Sequence, residues 1–366
     1  MISINSTTKK RFFELKVFFI SLVLLQILSI KVYGEEKSNI DKLINLALDY
    51  NYDLQIAKLN LDNSSINYRR NKSNNLFLES RYNYLENKLE VEEAKREYLE
   101  TKNGVIIDLI YNYLQLVEEN INIAGREKRV ELEERLLNNI KIDVKGGYKG
   151  EVDLLEKQID YNNEVFELRK AKDDYHLLLS DLEAKVGSTK EEIEITEVNI
   201  PKLWELTKED IVAIAKANNK TLKLREGILE LREIDLKRAK VMEVSKLDLK
   251  ELRNNKEIAK LNYNKEYDNV VNQIKESYAQ FEQGARILEL REKQLKQIKD
   301  NYNIIKEQRS AEIRSQNDIL GAQINLKEAK YHYQGAITNY YLSKLNLMQV
   351  MGLEIGGLSD EKPSKE

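Results

Sequence analysis

The chain has 366 residues, 42% hydrophobic and 33% charged, with 14 glycines, two prolines, no cysteine and a formal charge of −3. So few helix breakers among abundant Glu, Lys, Leu, Asn and Ile favour long helices with solvated charged faces over a compact α/β enzyme. The lack of cysteine excludes disulfides and an acylated-Cys anchor, and the mild acidity offers nucleic acid no basic surface.

The first 34 residues read as an export signal. Lys9, Lys10, Arg11 and Lys16 precede the apolar run VFFISLVLLQILSI, Val17 to Ile30, and Val32-Tyr33-Gly34 follows as small-residue exit chemistry. The run of 14 residues is shorter than the ~20 a spanning helix needs, so cleavage near Gly34 is expected, with an uncleaved anchor as the alternative. Cleavage removes five cations (Lys9, Lys10, Arg11, Lys16, Lys31) and one anion (Glu14), leaving a formal −7.

After a front helical segment around Ala47 to Lys72, a long helix is predicted from about Val91 to Lys145, roughly 80 Å at ~1.5 Å per residue. Ile106, Leu109, Ile110, Tyr113, Leu116, Val117 and Ile123 give it an apolar seam of coiled-coil character. VKGGYKG, Val144 to Gly150, marks a turn, and a return helix opens with VDLLEKQI. A linker then runs from Gly187 to Leu206, in which Ile193, Ile195, Val198 and Ile200 are placed as a short strand.

The remainder repeats the first part. A shift of 165 superposes Val105 on Val270, Tyr113 on Tyr278, Arg126-Glu127-Lys128 on Arg291-Glu292-Lys293, Tyr175 on Tyr340 and Gly187 on Gly352. Within this register VDLLEKQI returns as NDILGAQI, Asn317 to Ile324, its apolar residues expected to enter the seam just past each turn. A shift of 168 superposes Ala47, Asn51 and Leu54 on Ala215, Asn219 and Leu222, so the length change falls between residues 72 and 92. The second long helix carries Ile274, Tyr278, Phe281, Ala285, Leu288, Leu295, Tyr302 and Ile305 at steps of three, four and seven. Its turn, KEQRSAEIRS from Lys306 to Ser315, has no glycine, so the two tips are expected to differ. The expected division is a signal peptide at 1–34, repeats at 35–187 and 207–352, a linker at 188–206 and a tail at 353–366.

Catalytic patterns are missing. His176 and His332 each lie in a return helix without a carboxylate pair, which favours a solvated or partner-facing ring over a metal ligand. There is no phosphate loop, nucleophile elbow or HExxH, and paired acids such as Glu92-Glu93 and Glu133-Glu134 read as solvated faces. The sequence makes no case for an enzyme or a cofactor. Most of the 20 tyrosines fall at seam or flank positions, where a ring packs and its hydroxyl finds a polar partner.

The two front segments, ALDYNYDLQIAKLNL and AIAKANNKTLKLREGIL, share an Ala-x-x-x-Asn-x-x-Leu pattern. The return segments, GGYKGEVDLLEKQIDY and NDILGAQINLKEAKYHYQGAITNYYLSKLNLMQVMG, share an Asp-apolar-Leu start, with Tyr, Leu and a closing Gly further on. In this order, twice, the motifs resemble the TolC family of outer membrane efflux proteins over nearly the whole mature chain. The resemblance implies an all-α body of long antiparallel hairpins with coiled-coil packing and minimal or absent β-strands. It also implies a homotrimer with a twelve-helix tunnel at the outer membrane or in the periplasm. Tips at Gly147, Gly150, Asp153, Glu312 and Asp318 would contact a periplasmic adaptor of an inner-membrane pump.

One departure stands out. The family carries a two-stranded barrel hairpin between front and long helix, but here the gaps from Lys72 to Glu92 and from Lys240 to Glu257 hold only 19 and 16 residues. Two membrane strands of ~9–11 residues plus a turn barely fit. Leu76, Leu78, Ser80, Tyr82 and Tyr84 alternate as one short strand could, whereas the second gap is too charged to face lipid. Two functions follow: an export-duct component, with or without a minimal barrel, or a non-conducting coiled-coil protein of the envelope.

Overall fold

The computed structural model describes residues 39–75, 80–187, 193–196, 198, 203, 204 and 206–357. The expected signal segment lies outside the described residues, as do Leu76, Leu78 and Ile200 of the expected strands. From Asn39 onward the chain forms one compact unit. Its helices are α1 (Asn39–Tyr50), α2 (Tyr52–Asn75), α3 (Arg81–Lys145), α4 (Glu151–Val186), α5 (Lys208–Asn218), α6 (Lys220–Val241), α7 (Lys246–Ser310) and α8 (Gln316–Val350). No strand occurs among the described residues.

The duplication is visible in the helix lengths. Both α3 and α7 have 65 residues, about 98 Å at ~1.5 Å per residue. A shift of 165 carries their first residues onto each other, and likewise Glu151 onto Gln316. The long helices start earlier than the apolar seam indicates, because serines cap them. Ser80 Oγ accepts the Asn83 N–H at 3.3 Å, and Ser245 Oγ accepts the Asp248 N–H at 3.2 Å. Tyr82 and Tyr84 therefore lie in the first turn of α3 and not in a strand. Only 76–80 separates α2 from α3, and only 242–245 separates α6 from α7. In the linker, Ile193, Ile195 and Val198 make irregular chain packed on the core; they use the core for burial and no neighbouring strand for pairing.

The Ala-x-x-x-Asn-x-x-Leu pattern is a helix-to-helix joint made twice. The Asn51 N–H closes α1 on Ala47 O at 2.9 Å, while its side chain accepts the Leu54 N–H of α2 at 2.8 Å. Asn219 does the same between α5 and α6, at 2.7 Å to Ala215 O and 3.0 Å from Leu222 N. One residue thus ends a helix and caps the next, while the Ala and Leu on either side are buried. The closing glycines sit against these joints. Gly187 (φ 80°) and Gly352 (φ 75°) are left-handed, and a Cβ would come within 2.4 Å of the Tyr50 ring or 2.8 Å of Asn218 O.

Packing is a single layer. Toward the helix tips the neighbours run α4–α3–α8–α7, and toward the other end α2–α3–α6–α7. Between these regions the linker and the C-terminal segment fasten across the layer. Tyr113 and its repeat mate Tyr278 donate their hydroxyls to Thr196 O (3.1 Å) and Leu206 O (3.3 Å), pinning the linker at two points. Tyr340 Oη accepts the Trp204 N–H at 3.2 Å; the Tyr340 ring lies 5.5 Å from Phe281, which lies 6.2 Å from Trp204. Lys344 Nζ stands 4.6 Å over the Trp204 ring. Buried Asn103 of α3 donates to Leu353 O at 2.8 Å and accepts from Ile355 N at 3.0 Å, holding the C-terminal segment.

Asn103→Ala leaves the buried Ile355 N–H and the half-buried Leu353 carbonyl unpaired, at about 1–3 kcal/mol for the buried group and less for the other. Urea unfolding is expected to show a loss of about 2–4 kcal/mol, with faster amide exchange at Leu353 and Ile355.

Candidate functional site at the tips and free edges of the helical wall

The two tips share one backbone. At the first, Gly146, Gly147 and Tyr148 N–H donate to Ile142 O, Val144 O and Asp143 O at 2.9, 3.1 and 2.9 Å. At the second, Ala311, Glu312 and Ile313 donate to Glu307, Arg309 and Gln308 carbonyls at 3.1, 2.9 and 2.9 Å. The expectation of different tips is not met: Glu312 takes the left-handed conformation (φ 62°) that Gly147 (φ 75°) takes in the first copy. Side chains brace it, Arg309 donating to Arg314 O at 3.2 Å and Arg314 to Gln308 at 3.0 Å.

Asp153 and Asp318 are helix caps. The Gly150 N–H donates to the Asp153 carboxylate at 2.9 Å; Ser315 N–H and Oγ both lie 2.8 Å from that of Asp318. The Ser315 hydroxyl and backbone N–H hold the Asp318 carboxyl below the usual range, helped by nearby Arg314. Gly147, Gly150, Glu312 and both carboxylates therefore shape the tips. Beside them stand exposed Tyr148 and Ile313, repeat mates that only the 165-residue alignment could have paired.

The free edges are a second candidate surface. Along α4, exposed Val152, Leu155, Ile159, Phe166 and Leu177 recur at steps of three, four, seven and eleven, which places them on one face. Along α7, Leu247, Ile258, Leu261, Leu290 and Ile304 form a similar exposed stripe. The repeat provides an internal standard. In α8, flanked by α3 and α7, Ile319, Leu320 and Ile324 are buried, with Leu320 at 1% exposure. Their mates in α4 are Leu154, Leu155 and Ile159, of which Leu155 is 62% and Ile159 50% exposed. The doubled phrase therefore enters a seam in α8 but not in α4, because α4 has α3 and α1 as its packing neighbours and no second long helix beside it.

Two adjacent half-buried acids lie on α3, Glu118 against Tyr331 and Thr338 of α8 and Glu119 on the side of Asp174 of α4. Burial pushes both carboxyls up, while hydrogen bonds from Tyr331 and Thr338 to Glu118, and from Asn122 to Glu119, pull the other way. His176 and His332 are exposed, each edge-on to a preceding tyrosine. Among the described residues no three His, Cys, Asp or Glu are grouped to hold a metal ion, and no helix is long and apolar enough to cross a membrane.

No protein-family profile matches the sequence, and no curated protein does. Solved structures do match. The Campylobacter jejuni CmeC outer membrane channel aligns over 88% of this chain and 87% of its own, at 14% identity and a TM-score of 0.62. The outer membrane protein VceC of Vibrio cholerae aligns over 87% and 97%, at 11% identity and 0.59. The open state of the Neisseria gonorrhoeae MtrE outer membrane channel aligns over 86% and 89%, at 12% identity and 0.54. The chain has the fold of these proteins. The TolC-type fold expected from the doubled motifs is thus the fold observed, and each of these structures is matched over nearly its full length.

Three outcomes follow for the TolC-type body. Glu312→Gly relieves a left-handed non-glycine residue and is expected to raise unfolding stability by roughly 0.5–1 kcal/mol, whereas Gly147→Ala, with open space around the new methyl, lowers it by about 1 kcal/mol. A folded carboxyl pushed above its unfolded value weakens the fold once pH exceeds both values. Glu118→Gln is therefore expected to stabilise at pH 7, and the gain fades as pH falls toward the ordinary Glu value of 4.5; unfolding curves across pH read this directly.

Proposed function

We propose that the chain is a subunit of an export duct in a cell envelope, exported to the periplasm or outer membrane, in which three copies close a twelve-helix tube. The observation that carries this is the unequal fate of one phrase: Leu320 buried in α8, Leu155 exposed in α4. Placing α7 of a neighbouring copy beside α4 gives α4 the flanking that α8 already has, and it covers both exposed stripes at once. The shared fold with outer membrane channels supports the same reading.

In this duct the tips point to a periplasmic adaptor of an inner-membrane pump. Tyr148 and Ile313 supply apolar contacts, on turns shaped by Gly147, Gly150, Glu312 and the capped Asp153 and Asp318. The connections at 76–80 and 242–245 are far shorter than two membrane strands of ~9–11 residues, so the duct is read as lacking the barrel. The same shortness favours a second reading, a non-conducting envelope scaffold of the same helical build.

Oligomeric mass separates the readings. The mature protein is expected to sediment as a trimer, and Leu155→Asp with Phe166→Asp is expected to give monomers of unchanged helix content. A wild-type monomer or dimer would sink the duct; a trimer whose loss leaves compound efflux from cells unchanged would favour the scaffold.

A further inference from the structure

We infer that the apex of the α6–α7 hairpin is a lipid-binding wedge that seats this end of the wall on an anionic bilayer surface. The inference rests on the reading that the chain builds no membrane-spanning barrel. Val241, Met242 and Leu247, gathered about a four-residue turn, are 83%, 65% and 79% exposed. Gly227 of α6 abuts Leu89 of α3; α6 runs on 14 residues past that contact, whereas α3 starts eight residues before Leu89. The apex therefore lies about 9 Å beyond the start of α3, at ~1.5 Å per residue. Among the described residues these apolar side chains stand beyond the start of α3 on a charged wall, and they have no intramolecular role there.

Two further features, the turn's own hydrogen bonds and its basic flanks, suit a lipid interface. The turn satisfies its own backbone: Met242 N–H donates to Arg238 O at 3.0 Å and Val244 N–H to Ala239 O at 3.3 Å, so little main chain loses water on approach. Glu243 is held left-handed (φ 52°), between Met242 and Val244. From Lys237 to Arg253 the hairpin carries six cations (Lys237, Arg238, Lys240, Lys246, Lys250, Arg253) against three anions, in a chain whose formal charge is −3. One of those anions, Asp248, is engaged by the Ser245 hydroxyl at 2.7 Å; Lys256, at 3.0 Å, holds the Glu233 carboxyl below its usual range with help from Lys237. Apolar residues at the point with basic residues on the flanks match an interfacial anchor, whose lysine stems lie along the lipid while their ammonium groups reach the phosphates.

The test uses the full mature protein and vesicles of phosphatidylglycerol with phosphatidylethanolamine, against vesicles of phosphatidylcholine alone. Wild type is expected to float with the anionic vesicles and to be released by high salt or carbonate. Val241→Asp with Leu247→Asp is expected to weaken binding about tenfold or more, at unchanged helix content and oligomeric mass. Trp204, the single native tryptophan, is buried, so Met242→Trp provides a clean signal; its emission should shift to the blue and be quenched by brominated lipid. Absence of flotation, or equal flotation of the double variant, overturns the wedge. So does a double variant whose oligomeric mass falls without lipid, because the apex is then a contact between copies. Protein that resists carbonate extraction overturns the barrel-less reading, and the wedge with it, which separates that failure from failure of the wedge alone.

Discussion

A helix in a one-layer wall has two flanks to cover, and each flank needs a neighbour. This constraint governs where the chain is well packed and where it is not. Helix α8, between α3 and α7, buries fifteen of its 35 residues, whereas α4, at an edge, buries three of 36. Propensity and capping form helices of nearly equal length in both repeats, yet only the inner ones are buried enough to be fixed by packing. Ion pairs such as Lys157–Glu133 (3.1 Å) and Lys185–Asp108 (3.0 Å) set the register of α4 on α3, but partly exposed pairs of this kind contribute about 0–1 kcal/mol each. The apolar flanks decide.

Between tips and apex the wall is fastened by residues that are themselves duplicated. Tyr113 and Tyr278 hold two points of the linker, and Asn51 and Asn219 each join two helices. Gly187 and Gly352 let the return helices end against those joints. Burial pushes the Tyr341 hydroxyl up to about 12, beside Tyr340, so this aromatic cluster stays uncharged throughout the physiological range. The layer can therefore be long and thin and still possess a core, because most of the large fully buried side chains, Tyr113, Tyr340, Leu114 and Ile211 among them, gather at one level.

Much of this was legible in the sequence. The 165-residue register, the long hairpins and the seam from Ile106 to Val117 follow from periodicity, and the lack of breakers made an all-α body the economical reading. The misses have physical causes. Glycine is the sequence mark of a left-handed turn, so a turn that places Glu312 there and braces it with Arg309 and Arg314 leaves no such mark. Tyr82 and Tyr84 alternate like a strand, but a serine cap upstream lets the helix take them first. Leu155 and Leu320 occupy the same place in the same phrase; their different burial depends on how many helices stand alongside, which local sequence does not encode. Asp153 and Asp318 stand in the sequence at the start of each return helix, and the geometry adds that their carboxylates are occupied as caps.

The pairing of α3 with α8 has a temporal consequence. A ribosome makes α3 long before α8, and the Leu353 carbonyl that the Asn103 side chain holds lies 250 residues further along the chain. Until the last helix emerges, the first hairpin lacks cover on either flank. That hairpin therefore waits unfinished, and contacts so distant along the chain slow their own assembly. Whatever shields α3 during that interval acts on a half-built wall, and completion waits for the carboxyl end.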